Sequence, residues 1–135
     1  PMRKHSPILA LVILATLAGL AIGQDKWHSS YDTAHAEAKN TGRPLVIFFS
    51  TSNCVWCEKM QRGPLSDPGV KQLLARCVCV KLDGSHPVAR AMNVRLFPTL
   101  IASKWDAKDG HMIEKARVTG YTDSRSLRVK IEGVK

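Results

Sequence analysis

The stretch Pro44 to Met60, PLVIFFSTSNCVWCEKM, constrains this chain more than any other. It opens on five consecutive apolar residues, Leu45-Val46-Ile47-Phe48-Phe49, rich in β-branched and aromatic side chains. A run that short and that uniformly apolar reads as a strand buried on both faces. Small polar residues follow, Ser50-Thr51-Ser52-Asn53, which suit a loop and a helix N-cap. Cys54-Val55-Trp56-Cys57 comes next, and Glu58-Lys59-Met60-Gln61-Arg62 continues in a helix-compatible pattern. The sequence therefore predicts a strand–loop–helix unit that delivers two cysteines to the first turn of a helix.

That placement suits a reactive dithiol. Only the deprotonated sulfur attacks a disulfide or holds a metal, and a free thiol near neutral pH is mostly protonated. Unpaired backbone N–H groups and the positive end of the helix dipole favour a thiolate at Cys54. Three positions on, Cys57 falls one turn further along, where it can attack a mixed disulfide and release the partner. Cys54 is thus the candidate nucleophile and Cys57 the candidate resolving thiol. Half of a zinc site and a structural disulfide are the alternatives, and the strand-first context favours redox chemistry.

With 135 residues the chain has room for one domain, and 44% hydrophobic content allows a core that needs no disulfide staples. Lysine and arginine number 20 against 11 acids. Residues 1–23 hold Arg3 and Lys4 and no acid, so the remainder carries 18 basic residues against 11, a net +7. These charges are scattered, which points to a solvated surface before an anionic partner. Aromatic content of 6% leaves no stacking platform for nucleic acid.

At the N-terminus, Met2-Arg3-Lys4-His5 is a short basic region and Ile8 to Ile22 is almost wholly apolar. The apolar part has the length of a signal peptide and falls short of the roughly 20 residues of a spanning helix. Ala21-Ile22-Gly23 offers a small-x-small cleavage pattern before Gln24. The expectation is a signal peptide over 1–23, with a retained N-terminal anchor through residues 8–22 as the alternative. Residues 24–135 form the folded domain. Export, periplasmic or extracellular, places the four cysteines where disulfides persist.

From Gln24 onward, Lys26-Trp27-His28 reads as a short opening strand or a packing anchor. Ser29 and Ser30 cap a helical pattern over Tyr31–Lys39, with Ala34 and Ala38 on one face, and Asn40-Thr41-Gly42 ends it. Gly63-Pro64 interrupts the helix of the dithiol. Asp67 as N-cap and Pro68 at the first position restart it through Leu74. Cys77-Val78-Cys79-Val80-Lys81-Leu82 reads as a buried strand that turns both thiols to one face as small core hydrophobes. Zinc ligation alongside the first pair, or a second redox pair, are the alternatives for Cys77 and Cys79.

A brief helix over Pro87–Met92 precedes a strand at Phe97–Ala102, with Pro98 at its start. Trp105–Gly110 is expected as a hairpin turn, on the strength of its Asp-Gly pair, with the return strand at His111–Val118. Gly120-Tyr121-Thr122-Asp123 caps a last helix whose Leu127 and Ile131 face inward, and Tyr121 and Trp105 are expected to cover core edges. The five histidines lack ligand spacing, so surface or capping roles are expected and no metal site is predicted.

The order of these elements, with Cys54-Val55-Trp56-Cys57 and then Phe97-Pro98-Thr99 forty residues after Cys57, resembles the thioredoxin superfamily. Secreted thioredoxin-like proteins match it over about residues 27–133. The resemblance implies an α/β fold with a central mixed sheet of four to five strands flanked by helices. It implies an exported thiol–disulfide oxidoreductase that uses the CxxC dithiol on protein thiols and disulfides, with no dissociable cofactor. An upstream redox partner, membrane-bound or soluble, would serve it, and nucleic acid would not.

The same resemblance makes Pro98 a cis-proline facing the dithiol, with the Phe97 backbone pairing a bound substrate strand. Trp56 is a shield for the sulfurs or a substrate contact, and ordinary packing is its alternative. The sequence departs from thioredoxin at Asn53, where tryptophan stands, and in its central pair, Val55-Trp56 in place of Gly-Pro. At Phe48, thioredoxin buries an aspartate that helps to deprotonate the resolving cysteine. Losing that base argues against fast reductase activity of the cytoplasmic kind but does not remove thiol–disulfide exchange, and the minimal domain, with no substrate-binding insertion, makes reductase or general exchange the expected direction. Readings of another class are a non-catalytic peptide-binding module on the same fold and a metal-handling protein that uses the cysteines.

Overall fold

The computed structural model describes residues 26–134, and the expected signal peptide or anchor, 1–23, lies outside them. Five strands and five α-helices follow in order over the described residues: β1 Trp27–His28, α1 Tyr31–Thr41, β2 Leu45–Ser50, α2 Val55–Arg62, α3 Pro68–Leu74, β3 Val78–Asp83, α4 Pro87–Ala91, β4 Thr99–Asp106, β5 His111–Thr119 and α5 Ser124–Glu132, with a 3-10 turn at Pro64–Ser66 between α2 and α3. The strands form one mixed sheet in the order β1-β3-β2-β4-β5. β1 and β2 both run parallel to β3, and β2 and β5 run antiparallel to β4. This is the α/β architecture the sequence predicts.

β2 is the central strand, and its alternation explains the unbroken apolar run. Val46 and Phe48 turn to one face, packing with Met60, Val70, Leu73, Leu100, Leu127 and Ile131. Leu45, Ile47 and Phe49 turn to the other, against Ala34, Ala38, Val80, Ala89 and Ile101. Because side chains alternate with period two, a strand covered on both sides must be apolar at every position. Helices α2, α3 and α5 thus cover one face, and α1 and α4 the other. The alanines on α1 let its backbone approach the sheet closely. No helix among the described residues is long and apolar enough to cross a membrane.

The caps follow the sequence. Ser30 accepts from the Thr33 N–H at 3.4 Å, and Gly42, with φ of 70°, closes α1 in the left-handed region. Asp67 Oδ1 accepts from Val70 N–H at 3.0 Å, with Pro68 in the first turn. Asp123 Oδ1 accepts from Ser126 N–H at 2.9 Å. His86 caps α4, its Nδ1 accepting from Val88 N–H at 3.2 Å.

Three boundaries differ from expectation. The hairpin turn is confined to residues 107–110, because Trp105 and Asp106 stay in β4, in register with Met112 and His111. Asp106 Oδ1 accepts from the Lys108 N–H at 2.8 Å, and this local bond starts the turn two residues later than expected. β4 begins at Thr99, leaving Phe97 and Pro98 in the loop before it. Cys77 precedes β3, held by the Cys77 N–H to Leu74 carbonyl bond of 2.9 Å that closes the turn after α3.

Candidate functional site

The chain leaves the sheet after Ser50 and turns through Thr51, Ser52 and Asn53. Asn53 has φ of 57°, in the left-handed region that asparagine tolerates better than most residues. The extended backbone of a cap therefore falls on the next residue. Cys54, at φ −99° and ψ 100°, is itself the N-cap of α2, and its Sγ accepts from the Cys57 N–H at 3.1 Å. Ser50 ends the strand, and Thr51–Asn53 supply the loop but not the cap. The sulfur stands where a capping oxygen would, against the positive end of the helix.

Cys54 and Cys57 are joined in a disulfide with Cα atoms 5.2 Å apart. Their environments differ. Cys57 is 2% exposed on the inner face of α2, while Cys54 is half-buried at its tip. An incoming thiolate can reach only the outer sulfur, which leaves Cys57 as the leaving group.

The loops nearest the end of β2 build the surroundings. The Phe97–Pro98 peptide bond is cis and directly precedes β4, whose Thr99 is in register with Phe49. Pro98 is thereby set beside the end of the strand that carries the dithiol. Thr99 Oγ1 donates to the Leu96 carbonyl at 2.7 Å, and Gly120 N–H donates to the Pro98 carbonyl at 2.7 Å. Pro98 is buried, and the Phe97 ring packs half-buried against the core layer of α1 and α4. Val55, Trp56, Leu96 and Tyr121 are large apolar side chains left exposed.

Gly84, the residue after β3, belongs to this neighbourhood. Its N–H donates to the Ser50 carbonyl at 2.8 Å. A Cβ there would overlap the Phe97 ring, 2.6 Å from Cε1, and lie 2.8 Å from Thr51 Cγ2. Only glycine lets the loop after β3 close on both segments. Gly84→Ala is expected to destabilise the fold by about 1–2 kcal/mol, the lower part of the usual overpacking range, because a half-buried ring can swing aside. Denaturant unfolding at unchanged slope measures this, and a midpoint equal to wild type would contradict the close approach.

Cys77 and Cys79 lie elsewhere. Cys79 pairs with Val46 and with Trp27, at the start of β2, whereas the dithiol follows its end. Four residues of strand separate the two regions, about 13 Å. The Cys79 thiol donates to the Leu74 carbonyl at 3.6 Å and the Cys77 thiol to the Leu73 carbonyl at 3.5 Å. Burial pushes the Cys77 thiol up, with Arg76 and Arg43 opposing the shift, so it is poorly disposed to form a thiolate. The structure does not bring the four cysteines together. Among the described residues no group of three or more His, Cys, Asp or Glu is placed to hold a metal.

A family model described as thioredoxin-like matches residues 26–116. The chain belongs to the thioredoxin-like family. As a thioredoxin-like chain it is 36% identical over 100 residues to the thiol:disulfide interchange protein DsbD of Citrobacter koseri, covering 70% of this chain and 17% of that one. DsbD of Cronobacter sakazakii is 28% identical over 130 residues, covering 92% of this chain and 20% of that one. The chain thus spans about a fifth of the length of these curated relatives.

Among solved structures, a thioredoxin from Thermus thermophilus aligns with a TM-score of 0.72 at 28% identity, over 81% of this chain and 86% of that one. The reduced C-terminal domain of Neisseria meningitidis DsbD shares the fold, with a TM-score of 0.57 at 20% identity, over 80% of this chain and all of that domain.

Within this thioredoxin-like frame, Tyr121 does not cover a core edge as expected. It is 46% exposed and meets Trp56, which is 53% exposed, with ring centroids 5.6 Å apart and planes tilted by 48°. Trp105 is half-buried against His35, at 5.9 Å edge to face, and lies under Lys39. His28 Nε2 is 2.8 Å from Glu37 Oε2, a carboxylate that also pairs with Arg43.

Proposed function

We propose that this chain is an exported thiol–disulfide oxidoreductase acting on protein thiols and disulfides, with Cys54 as nucleophile and Cys57 as resolving thiol. One observation carries the reading: a disulfide at a helix N-terminus with one sulfur half-buried and the other 2% exposed. The Cys54 thiolate attacks a partner disulfide, forming a Cys54–partner bond and releasing one partner thiolate. The Cys57 thiolate then attacks Cys54 Sγ, closing the Cys54–Cys57 bond and releasing the second partner thiolate. Two electrons pass to the partner, and an upstream dithiol protein, membrane-bound or soluble, restores the reduced pair.

The direction proposed is reduction or general exchange, since the described domain carries no substrate-binding insertion; a shift of about 30 mV, ~1.4 kcal/mol, alters the balance tenfold, and no carboxylate stands at Phe48 to speed attack by Cys57. Trp56, Phe97 and Pro98 are proposed as substrate-binding residues, Trp56 through its exposed ring and Phe97–Pro98 through the backbone. Residues 24–135 are the exchange domain and 1–23 its export signal or membrane anchor, a reading supported by the basic start and the apolar stretch after it.

Trapping tests the mechanism. In Cys57→Ser the first attack proceeds and the second is missing, so a disulfide-bearing peptide is expected to remain joined to Cys54. Intact-mass measurement reads the mass of the attached peptide, which dithiothreitol removes. Absence of the adduct, with the variant folded, sinks the proposed order of attack.

A further inference from the structure

A mixed disulfide through Cys54 fixes where a partner chain must lie. Its cysteine Cα is held within roughly 6 Å of the Cys54 Cα, and each neighbouring residue is about 3.8 Å further along. The partner side chains beside that cysteine therefore meet whatever borders Cys54 on the surface. Val55 and Trp56, which follow Cys54 directly, are 62% and 53% exposed, and Leu96 on the Pro98 loop is 63% exposed. Val55 and Trp56, left uncovered directly after the reacting sulfur, offer a surface suited to an apolar partner.

Two side chains meet the Trp56 ring on this surface. Lys59 Nζ stands 4.4 Å from its ring centroid, but Lys59 lies three residues along the same helix and moves with it. Tyr121 comes from a different element, the segment between β5 and α5, and meets the same ring at 5.6 Å and 48°. That segment is anchored in turn: Gly120, at φ of 82°, gives its N–H to the Pro98 carbonyl. Tyr121 thereby couples the dithiol helix to the loop that carries Pro98. Being 46% exposed, it adds little to the core, so its position is explained by what it holds.

We propose that Tyr121 is a positioning residue that fixes the Trp56 ring as one wall of a surface for a large apolar side chain beside the partner's reacting cysteine. The inference rests on the exchange function proposed above. A ring locked before binding loses less freedom when the partner arrives, so the effect falls on affinity for the partner and not on sulfur chemistry. An aromatic pair of this kind corresponds to about two- to tenfold in binding.

The test uses two disulfide-bonded peptides, identical except for leucine or serine next to the reacting cysteine, with dithiothreitol as electron donor and the full chain as enzyme. Wild type is expected to prefer the leucine peptide. Tyr121→Ala should raise KM for that peptide about two- to tenfold at unchanged kcat, and leave the serine peptide and the direct reaction with dithiothreitol within twofold of wild type. Tyr121→Phe keeps the ring and should restore the preference. The proposal is overturned if Tyr121→Ala keeps the wild-type preference, if wild type has none, or if all three reactions slow together. A wild-type disulfide inert to dithiothreitol would instead overturn the exchange function itself.

Discussion

Cys54→Ser is expected to lower turnover of a protein disulfide at least about a thousandfold while leaving the fold intact, since removal of a nucleophile eliminates the path it opens. The magnitude follows from access. Cys57 is 2% exposed and cannot take over the first attack without α2 opening. Cys77 and Cys79 are placed at the far end of β2 and donate to the carbonyls of Leu73 and Leu74. A serine hydroxyl is not ionised near neutral pH and does not form a disulfide. The substitution is also locally benign. The Cys54 sulfur accepts the Cys57 N–H as helix cap, and serine is among the best residues for that role. Loss of activity with an unfolding midpoint equal to that of the reduced wild type, which likewise lacks the Cys54–Cys57 bond, therefore isolates the chemistry from the cap. Retention of a tenth or more of wild-type turnover would move the nucleophile to another cysteine.

The parts of this fold that could be read from the chain are those in which a local pattern and the tertiary environment agree. Leu45–Phe49 is apolar at every position because core lies on both sides of it, and no half-buried strand would show that pattern. Asp67-Pro68 and Asp123 mark helix starts because an aspartate oxygen satisfies a backbone N–H three residues on, a constraint contained within one turn. What escaped depends on residues far apart in sequence. Serine and asparagine are better caps than cysteine by composition, yet the left-handed Asn53 backbone passes the cap to Cys54. Gly84 matters only because Phe97 and Thr51 converge on it. Tyr121 reads as a core-edge residue until Gly120 is seen fastened to Pro98, which carries the ring outward to Trp56. Of the candidate site, the dithiol and Pro98 were legible, and the aromatic contact across them was not.

Phe48→Ala is expected to destabilise the protein by about 3–5 kcal/mol, within the range for truncating a buried phenylalanine. A domain of this size holds about 5–15 kcal/mol in total, so the variant keeps a small margin at best. Phe48 is 0% exposed, in register with Lys81 on β3 and Leu100 on β4. It packs with Met60 of the dithiol helix and meets Trp27 edge to face at 6.4 Å. Its neighbours on that face are anchored in a sheet and three helices, so they collapse poorly into the space left, and the cavity term adds to the lost transfer energy. The same position separates two roles for this site. If Phe48 matters only as packing, exchange with dithiothreitol per folded molecule should stay within about threefold of wild type, because no titrating group has been removed. Phe48→Asp places a carboxyl in an apolar layer with no partner, so it should destabilise further and hold its proton at neutral pH. Denaturant unfolding at constant slope separates the two variants from wild type. A loss below about 1 kcal/mol for Phe48→Ala, less than any full burial of that ring permits, would mean that β2 is not covered on both faces.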